Sequence, residues 1–217
     1  MRRAVYLLLG LAVLAACWRA GGGDKPESSV RVIDGDTVVW QGRTADLYGI
    51  DAPELGQRCL SGTHLYPCGL DAAHALEKRT LLDELSCEPA PARADELVCG
   101  SADQSLGDLQ LADGYAYAVD GAPAAQRALA DEARTARLGV WRGEHVQPAA
   151  WRAGERLAAE EREPQACPII GTVRNGRRIY LVPSDRDYDD VRVLAGTRRF
   201  CSDEAARESG AVHVEAR

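Results

Sequence analysis

The sequence has almost no lysine, no long basic run and no cysteine pair at zinc-ligand spacing. Its only lysines are Lys25 and Lys78, no basic run exceeds two residues, and the formal net charge of the 217 residues is −7. Proteins that hold nucleic acid through its phosphates normally have a basic face, so the composition argues against tight, nonspecific DNA binding. Because no cysteines have C-x-x-C spacing and the four histidines are scattered, we expect no zinc site.

The N-terminal residues contain no apolar run that is long enough to cross a bilayer. A positive start and an apolar stretch at 5–14 predict a secretory signal instead. Because Leu14-Ala15-Ala16-Cys17 resembles a bacterial lipobox, we expect residues 1–17 to be a signal peptide and Cys17 to be lipidated; a plain signal peptide is the alternative. Residues 18–29 are expected to be a flexible tether. The protein is therefore predicted to be exported and held by its lipid on a membrane of the bacterial cell envelope.

Six cysteines remain after Cys17, an even number that predicts three disulfides in an exported protein. Spacing alone leaves their pairing open. We favour the sequential set, which joins Cys59 to Cys68, Cys87 to Cys99 and Cys167 to Cys201.

Hydrophobic periodicity predicts both strands and helices. Apolar and polar residues alternate over 30–40 and again over 43–50, which predicts two strands joined by a turn at Gln41-Gly42. Short strands are expected around Cys87 and Cys99. The predicted helices are 69–85, 106–113, 123–139 and a solvent-facing 148–163.

The chain after Cys167 is predicted to be a separate unit. Asn175-Gly176 is a strong hairpin signal, and Ser202 is expected to cap a short helix that ends at Gly210. The expected organisation is a domain at 30–145, a connecting helix at 146–166 and a small Cys-bracketed unit at 167–217.

Two short apolar segments carry acids that are expected to meet. The first carries Asp34 and Asp36, and the second carries Asp51 and Glu54. Antiparallel pairing would return the chain to the start of the first strand, where the four carboxylates can converge. Asp34 and Asp36, two residues apart, should share one face of that strand. Such hard oxygen ligands suit Ca²⁺ or Mg²⁺.

The motif I-D-G-D-T-V at 33–38, followed by G-I-D-A-P-E at 49–54, resembles the signature of the thermonuclease family, the staphylococcal-nuclease-like domains. The resemblance covers roughly residues 30–145 and includes further segments: Cys68-Gly69, Ala112–Ala116 and Ala133–Trp141. The tail around Tyr180 and Phe200-Cys201 is similar to an appendage of some bacterial members.

The resemblance implies an OB-fold five-stranded β-barrel with about three helices, followed here by a small disulfide-closed unit of a hairpin and a helix. It also implies Ca²⁺-dependent cleavage of phosphodiesters in DNA and RNA. Carried over by position, it implies that Asp36, Asp51 and the backbone carbonyl of Ala52 hold Ca²⁺. Glu54 would orient or deprotonate the attacking water.

The chain departs from the family at the two arginines that clamp the phosphate. The family has R-L-x-G-I-D, whereas Asp46 stands at the position of that arginine with no gap before Asp51. The second arginine, in D-x-Y-G-R-x-x-A, corresponds to the stretch 92–99, which has no Tyr-Gly. Arg93 could replace it after a shift of one residue, and Arg43 is the other candidate. Each such donor typically contributes about 3 kcal/mol, on the order of 10²–10³ in rate.

Three hypotheses follow. The first is a monomeric pseudoenzyme, an envelope module with weak or no nuclease activity that binds nucleic acid weakly. The second is an active exported Ca²⁺-dependent endonuclease whose arginines come from elsewhere in the chain, which requires a guanidinium within about 6 Å of the carboxylates. The third keeps only a structural Ca²⁺ site, to which Asp46 would add a carboxylate. The sequence identifies no protein partner.

Overall fold

The computed structural model describes residues 30–81, 85–162, 167–192 and 196–214. The predicted signal peptide, Cys17 and the tether lie outside the described residues. None of the helices in the described ranges is long and apolar enough to cross a membrane.

The fold is mixed α+β, with several small sheets and short helices. The strands are β1 Arg31–Val32, β2 Thr37–Trp40, β3 Arg43–Asp46, β4 Ile50–Asp51, β5 Cys59–Ser61, β6 His64–Tyr66, β7 Ser86–Pro89, β8 Leu97–Gly100, β9 Tyr117–Ala118, β10 Ile169–Arg174, β11 Arg177–Leu181, β12 Arg198–Phe200 and β13 Val212–His213. The α-helices are α1 Cys68–Thr80, α2 Leu106–Ala112, α3 Ala124–Thr135, α4 Pro148–Arg152, α5 Tyr188–Arg192 and α6 Asp203–Glu208, with 3-10 turns at Gly139–Arg142 and Glu160–Arg162.

The prediction of one strand over 30–40 is wrong, because the chain reverses in the middle of that segment. β1 pairs with β2 in antiparallel register, Arg31 opposite Val39 and Val32 opposite Val38. The backbone N–H of Ile33 donates to the carbonyl of Thr37 at 2.9 Å and closes the turn. Asp34 and Asp36 therefore lie in a tight turn and not on one face of a strand. The predicted second hairpin, β2–β3 around Gln41-Gly42, is present.

Several helices are shorter than predicted. α3 ends at Thr135 because Arg137 has φ +55°, a left-handed conformation that cannot continue a helix. The predicted long helix at 148–163 is only α4, and it is followed by Gly154 with φ +104°. This segment is not simply solvent-facing either, since Trp151 and Glu160 are buried.

All three sequential disulfides are present: Cys59–Cys68, Cys87–Cys99 and Cys167–Cys201. They agree with the pairing favoured from the sequence and are compatible with an exported protein.

The strands in the described residues form five separate sheets and no closed barrel. β1, β2 and β3 make one three-stranded sheet, while β4–β9, β5–β6 and β7–β8 are two-stranded. An apolar core lies among them and includes Val38, Leu47, Leu97, Leu106 and Leu111, all at most 1% exposed. The coarse prediction of a β-plus-α fold is therefore correct, and the arrangement of strands is more fragmented than a barrel.

The C-terminal unit is a four-stranded sheet with the order β12-β10-β11-β13. The Asn175-Gly176 turn joins β10 to β11, as predicted. The unit packs on the rest of the chain through a shared apolar cluster in which Ile33 and Leu55 meet Ile169, Tyr180 and Phe200. Because this contact is buried, the C-terminal unit is held firmly beside the turn that carries Asp34 and Asp36.

Candidate active site

The turn between β1 and β2 places the first two acids. The backbone N–H groups of Asp36 and Thr37 donate to Oδ1 of Asp34 at 3.2 and 2.8 Å, so the Asp34 side chain closes the turn. Gly35 is required by close packing, because a Cβ there would lie 2.7 Å from the Cβ of Ala52. This approach lets the backbone N–H of Ala52 donate to Oδ2 of Asp36, which joins the two acid-bearing segments.

Strand β4 and the turn after it place the other two acids. Asp51 is the last residue of β4 and pairs with Tyr117 of β9. Glu54 is buried, and its backbone is held by fully buried Gln57. The N–H of Glu54 donates to the Gln57 side chain at 3.2 Å, and the N–H of Gln57 donates to the Glu54 carbonyl at 2.7 Å. A Cβ at Gly69 would lie 1.7 Å from that carbonyl oxygen, so α1 can approach this turn only through a glycine.

Arg152, the last residue of α4, bridges the acids of the second segment. Its Nη1 donates to Oδ1 of Asp51 at 2.9 Å and to Oε1 of Glu54 at 2.8 Å, and its Nη2 donates to Oδ2 of Asp51 at 3.2 Å. Its Nε also lies 3.7 Å from Glu204. Buried Trp151, whose indole N–H donates to Glu160 at 3.0 Å, fixes the helix from which Arg152 projects.

These side chains surround a cavity of about 270 Å³ whose lining is strongly acidic. Its carboxylates are Asp34, Asp36, Asp46, Asp51, Glu54, Glu96, Asp203 and Glu204, and its guanidinium groups are Arg93, Arg152 and Arg207. Each of the three arginines forms an ion pair with a carboxylate: Arg93 pairs with Glu96 at 2.6 Å, and Arg207 pairs with Asp203 at 2.6 Å. The cavity can therefore attract a cation, and it presents positive charge only at its paired arginines.

Arg43 and Arg93, the two arginines that the sequence offered as phosphate clamps, lie in different places relative to the acidic cavity. Arg43 is exposed, donates to the carbonyl of Ala94 at 2.7 Å and does not line the acidic cavity. Arg93 does line it. Asp46 lines the cavity at the end of β3 and accepts a hydrogen bond from the Thr37 hydroxyl at 3.0 Å.

Three acids of the two acid-bearing segments, Asp34, Asp36 and Glu54, have raised pKa values. Burial, followed by the nearby charge of Asp34, raises the pKa of Glu54 to about 8, although the contacts with Arg152 oppose this shift. Burial and the charge of Asp203 raise the pKa of Asp34 to about 6. Burial and the charges of neighbouring acids raise the pKa of Asp36 well above its usual range. The cause is that crowded carboxylates in a poorly hydrated site repel one another when all are ionised.

These shifts make the metal-free protein less stable as the pH rises. Asp34 and Glu54 have folded-state pKa values of about 6 and about 8 against ordinary values of 3.8 and 4.5. Their stabilising contribution is therefore full below about pH 4 and is lost as the pH rises through the two folded-state values. In EGTA, we expect the thermal unfolding midpoint to be roughly 5–10 °C lower at pH 8.5 than at pH 5.

The control for this prediction is Glu54→Gln, which cannot titrate and should flatten the dependence above pH 6. Calcium should raise the midpoint of the native protein more at pH 8.5 than at pH 5, because a cation binds ionised carboxylates. Equal midpoints at the two pH values in EGTA would contradict the prediction.

The donors around the cavity have the chemistry that Ca²⁺ prefers, because they are carboxylate oxygens. Asp36 and Asp51 both line it, and buried Ala52 lies beside them. Within the described ranges, however, no three His, Cys, Asp or Glu side chains are arranged around a common point to hold a metal ion. Arg152 is one reason for this lack of a ligand cluster, because its guanidinium contacts both carboxylate oxygens of Asp51. The residues fit Ca²⁺ in donor type, and the ion would have to exchange with Arg152 at Asp51.

The sequence did not indicate Arg152, Arg207, Asp203 or Glu204 as site residues. All four come after residue 145, and no site motif marks them in the sequence. The packing of the C-terminal unit against the β1–β2 turn brings Arg207, Asp203 and Glu204 to the acids, and buried Trp151 positions Arg152, so no local signal could have identified them.

Comparison with known proteins leaves the family open. No protein-family model matches the chain, and no curated protein has significant similarity to it.

Proposed function

We propose that this protein is a thermonuclease-like hydrolase that cleaves nucleic-acid phosphodiester bonds with Ca²⁺ in the acidic cavity. The observation that carries the proposal is Arg152, whose guanidinium lies 2.8 Å from Glu54 and 2.9 Å from Asp51. The second hypothesis required a guanidinium within about 6 Å of these carboxylates. An arginine from outside the resembling segment meets that requirement, and it supports a replacement for the arginine lost at Asp46.

In the proposed site, Asp36, Asp51 and the carbonyl of Ala52 would hold Ca²⁺. A bound Ca²⁺ would polarise the phosphoryl oxygen and help to neutralise the acidic lining. Arg152, released from Asp51, would then be free to donate two parallel hydrogen bonds to the phosphate and to stabilise the charge that develops there.

Glu54 would act as the group that positions the water and takes its proton. Its pKa of about 8 lies near neutral pH, where a general base is most effective. Its backbone is fixed through Gln57, and its side chain is held by Arg152. Both restraints limit the movement of the carboxylate, as a positioned base requires.

We also propose that the strands around the first core correspond to an OB-type barrel. In support, Leu47 makes a parallel bridge to Leu97, and the N–H of Tyr48 donates to the Leu97 carbonyl at 2.9 Å. The sheet of β1, β2 and β3 therefore continues towards β7 and β8 around a common core. The proposed place of the protein remains the bacterial envelope, with Cys17 lipidated.

A second candidate function is a binding module with little or no nuclease activity. It is favoured by the same contacts of Arg152, which occupy both Asp51 and Glu54, and by the excess of carboxylates around the cavity. In this reading Arg152 is a permanent counter-ion. It would keep out Ca²⁺, and the acidic lining would repel a phosphodiester.

The proposed function is tested by incubating the purified protein with single-stranded DNA in Ca²⁺ and in EGTA. Cleavage should require Ca²⁺ and fall by about 10²-fold in Glu54→Gln, because a general base contributes at least that much. Glu161→Gln is the matched control, since Glu161 is exposed and does not line the cavity. No cleavage by the native protein, or cleavage that persists in Glu54→Gln, would reject the proposal.

A further inference from the structure

A second and larger cavity, of about 730 Å³, opens between the β2–β3 hairpin and the C-terminal sheet. Val39 and Thr44 line it on the hairpin side, and Ile179 and Val212 line it on the side of the sheet. We call it the arginine groove, because five arginines line it: Arg31, Arg174, Arg177, Arg186 and Arg207. Four of these arginines lie between residues 174 and 207, and Arg31 joins them only in the folded protein.

The arginine groove is basic in a protein of net charge −7. Among the residues that the structure describes, the carboxylates that line it are Asp185 and Asp187. Asp187 pairs with Arg174 at 3.2 Å. Arg177 and Arg186 are exposed, and neither has an ion-pair partner within the described ranges. Their charges are therefore available to an anionic ligand, and the groove is a locally positive surface.

The floor of the groove is held by a chain of hydrogen bonds. Arg31 donates to Nδ1 of His213 and to the carbonyl of Val214, each at 3.3 Å. Since Nδ1 accepts, Nε2 of His213 carries the proton and donates to Asp185 at 2.9 Å. Asp185 also accepts from the backbone N–H of Val182 at 2.7 Å. These hydrogen bonds fix the side chain of Arg31, so the fold itself forms this part of the groove.

The lining indicates which anion fits. Of the described residues that line it, Tyr180 is the only phenylalanine, tyrosine or tryptophan, and it is completely buried. The groove therefore offers no exposed aromatic ring on which a base could stack. Arginine side chains commonly bind phosphate oxygens, and such contacts carry no sequence information.

The arginine groove and the acidic cavity are connected through one residue. Arg207 lines both, and it pairs with buried Asp203 between them. The groove and the acidic cavity therefore adjoin at Arg207, so a linear polyanion in the groove would lie beside the cavity. Its phosphates would be held by arginines up to the point where the acidic residues begin.

We propose that the arginine groove binds the phosphate backbone of single-stranded nucleic acid and leads it to the acidic cavity; the cleavage part of this inference rests on the proposed function. Binding is independent of base sequence and weakens with salt, because it depends on phosphate contacts. The groove supplies the positive charge that the acidic cavity lacks.

The test is fluorescence anisotropy with a labelled 20-nucleotide thymidine oligomer in EGTA, where cleavage does not occur. Arg177→Gln/Arg186→Gln should weaken binding by roughly tenfold or more at low salt and reduce the slope of log K against log salt by about 1.4. Lys78→Gln/Arg137→Gln is the matched control, because both residues are exposed, lie outside both cavities and remove the same charge. Equal binding by both double variants and the native protein would overturn the proposal.

Cleavage measurements separate the groove from the active site. With Ca²⁺, the groove variant should raise KM for the 20-mer by about tenfold and leave kcat/KM for a dinucleotide unchanged, since a dinucleotide reaches only the cavity. Arginine-dependent binding without any cleavage would reject the proposed function and leave the groove proposal standing. If vesicles of phosphatidylglycerol bind through these arginines and the oligomer does not, the groove is a membrane surface and the proposal is wrong.

Discussion

Replacing Arg152 with glutamine should lower kcat/KM for Ca²⁺-dependent cleavage of single-stranded DNA by about 10²–10³-fold. That is the usual effect of losing one preorganised donor to a transition-state oxyanion. Arg152 is the arginine that contacts both Asp51 and Glu54, and its position on α4 is fixed by buried Trp151. The measurement is steady-state cleavage of an oligomer at saturating Ca²⁺, so that a change in metal affinity does not limit the rate.

Two further variants show how Arg152 acts. Arg152→Lys keeps the charge but loses the planar fork, so it should recover only a small part of the rate. Arg137→Gln, at an exposed arginine outside both cavities, should leave the rate unchanged.

The binding-module reading predicts the opposite result. Tighter Ca²⁺ binding in calorimetry is expected for Arg152→Gln in either reading, because Asp51 is freed. If Arg152 only neutralises Asp51 and Glu54, Arg152→Gln should also cleave no more slowly than the native protein. That outcome would show that the phosphate clamp is absent, and it would favour the second candidate function over the first.

Replacing Asp46 with arginine should raise kcat/KM by roughly 10²-fold, because the change removes a repelling charge and adds a donor at the edge of the cavity. Asp46 is exposed at the end of β3, and the hydroxyl of Thr37 is the side chain that donates to it at 3.0 Å. The substitution should therefore cost little stability, which thermal unfolding would check.

Asp46→Asn separates the two contributions. It removes the negative charge without adding a donor, so it should give only a small part of the gain. In a double-mutant cycle, Arg152→Gln should cost less in the Asp46→Arg background than alone if the two arginines share one role. If Asp46→Arg is no faster than Asp46→Asn, position 46 does not face the phosphate.

Local signals in the sequence predicted several individual elements of the fold correctly. The Gln41-Gly42 and Asn175-Gly176 turns formed hairpins, since both depend on residues that tolerate positive φ. The predicted sequential disulfides and the predicted starts of several helices also agree with the structure. The strand over 30–40 failed because alternation does not reveal a reversal, which Asp34 stabilises through its own side chain.

From the sequence, only the carboxylates of the two acid-bearing motifs could be predicted as site residues. Asp36, Asp51 and Glu54 belong to two short motifs and come together through neighbouring turns. Arg152 contacts Asp51 and Glu54 from 101 and 98 residues along the chain, Arg207 lines the same cavity, and nothing near either arginine in sequence marks it. The position of Arg207 depends on the burial of Tyr180 and Phe200 against Ile33 and Leu55, and that of Arg152 depends on buried Trp151.

Net charge likewise does not say where the charges lie on the folded surface. A value of −7 argued against tight, nonspecific DNA binding, but it does not reveal that Arg31, Arg174, Arg177, Arg186 and Arg207 converge on one groove while the acids collect in another. By itself, the sequence determined the two acid-bearing motifs, the disulfides and the mixed fold class, because each follows from short-range patterns or simple pairing. Only the tertiary structure decided which arginines face the acids, because long-range apolar packing sets where charges fall on the surface.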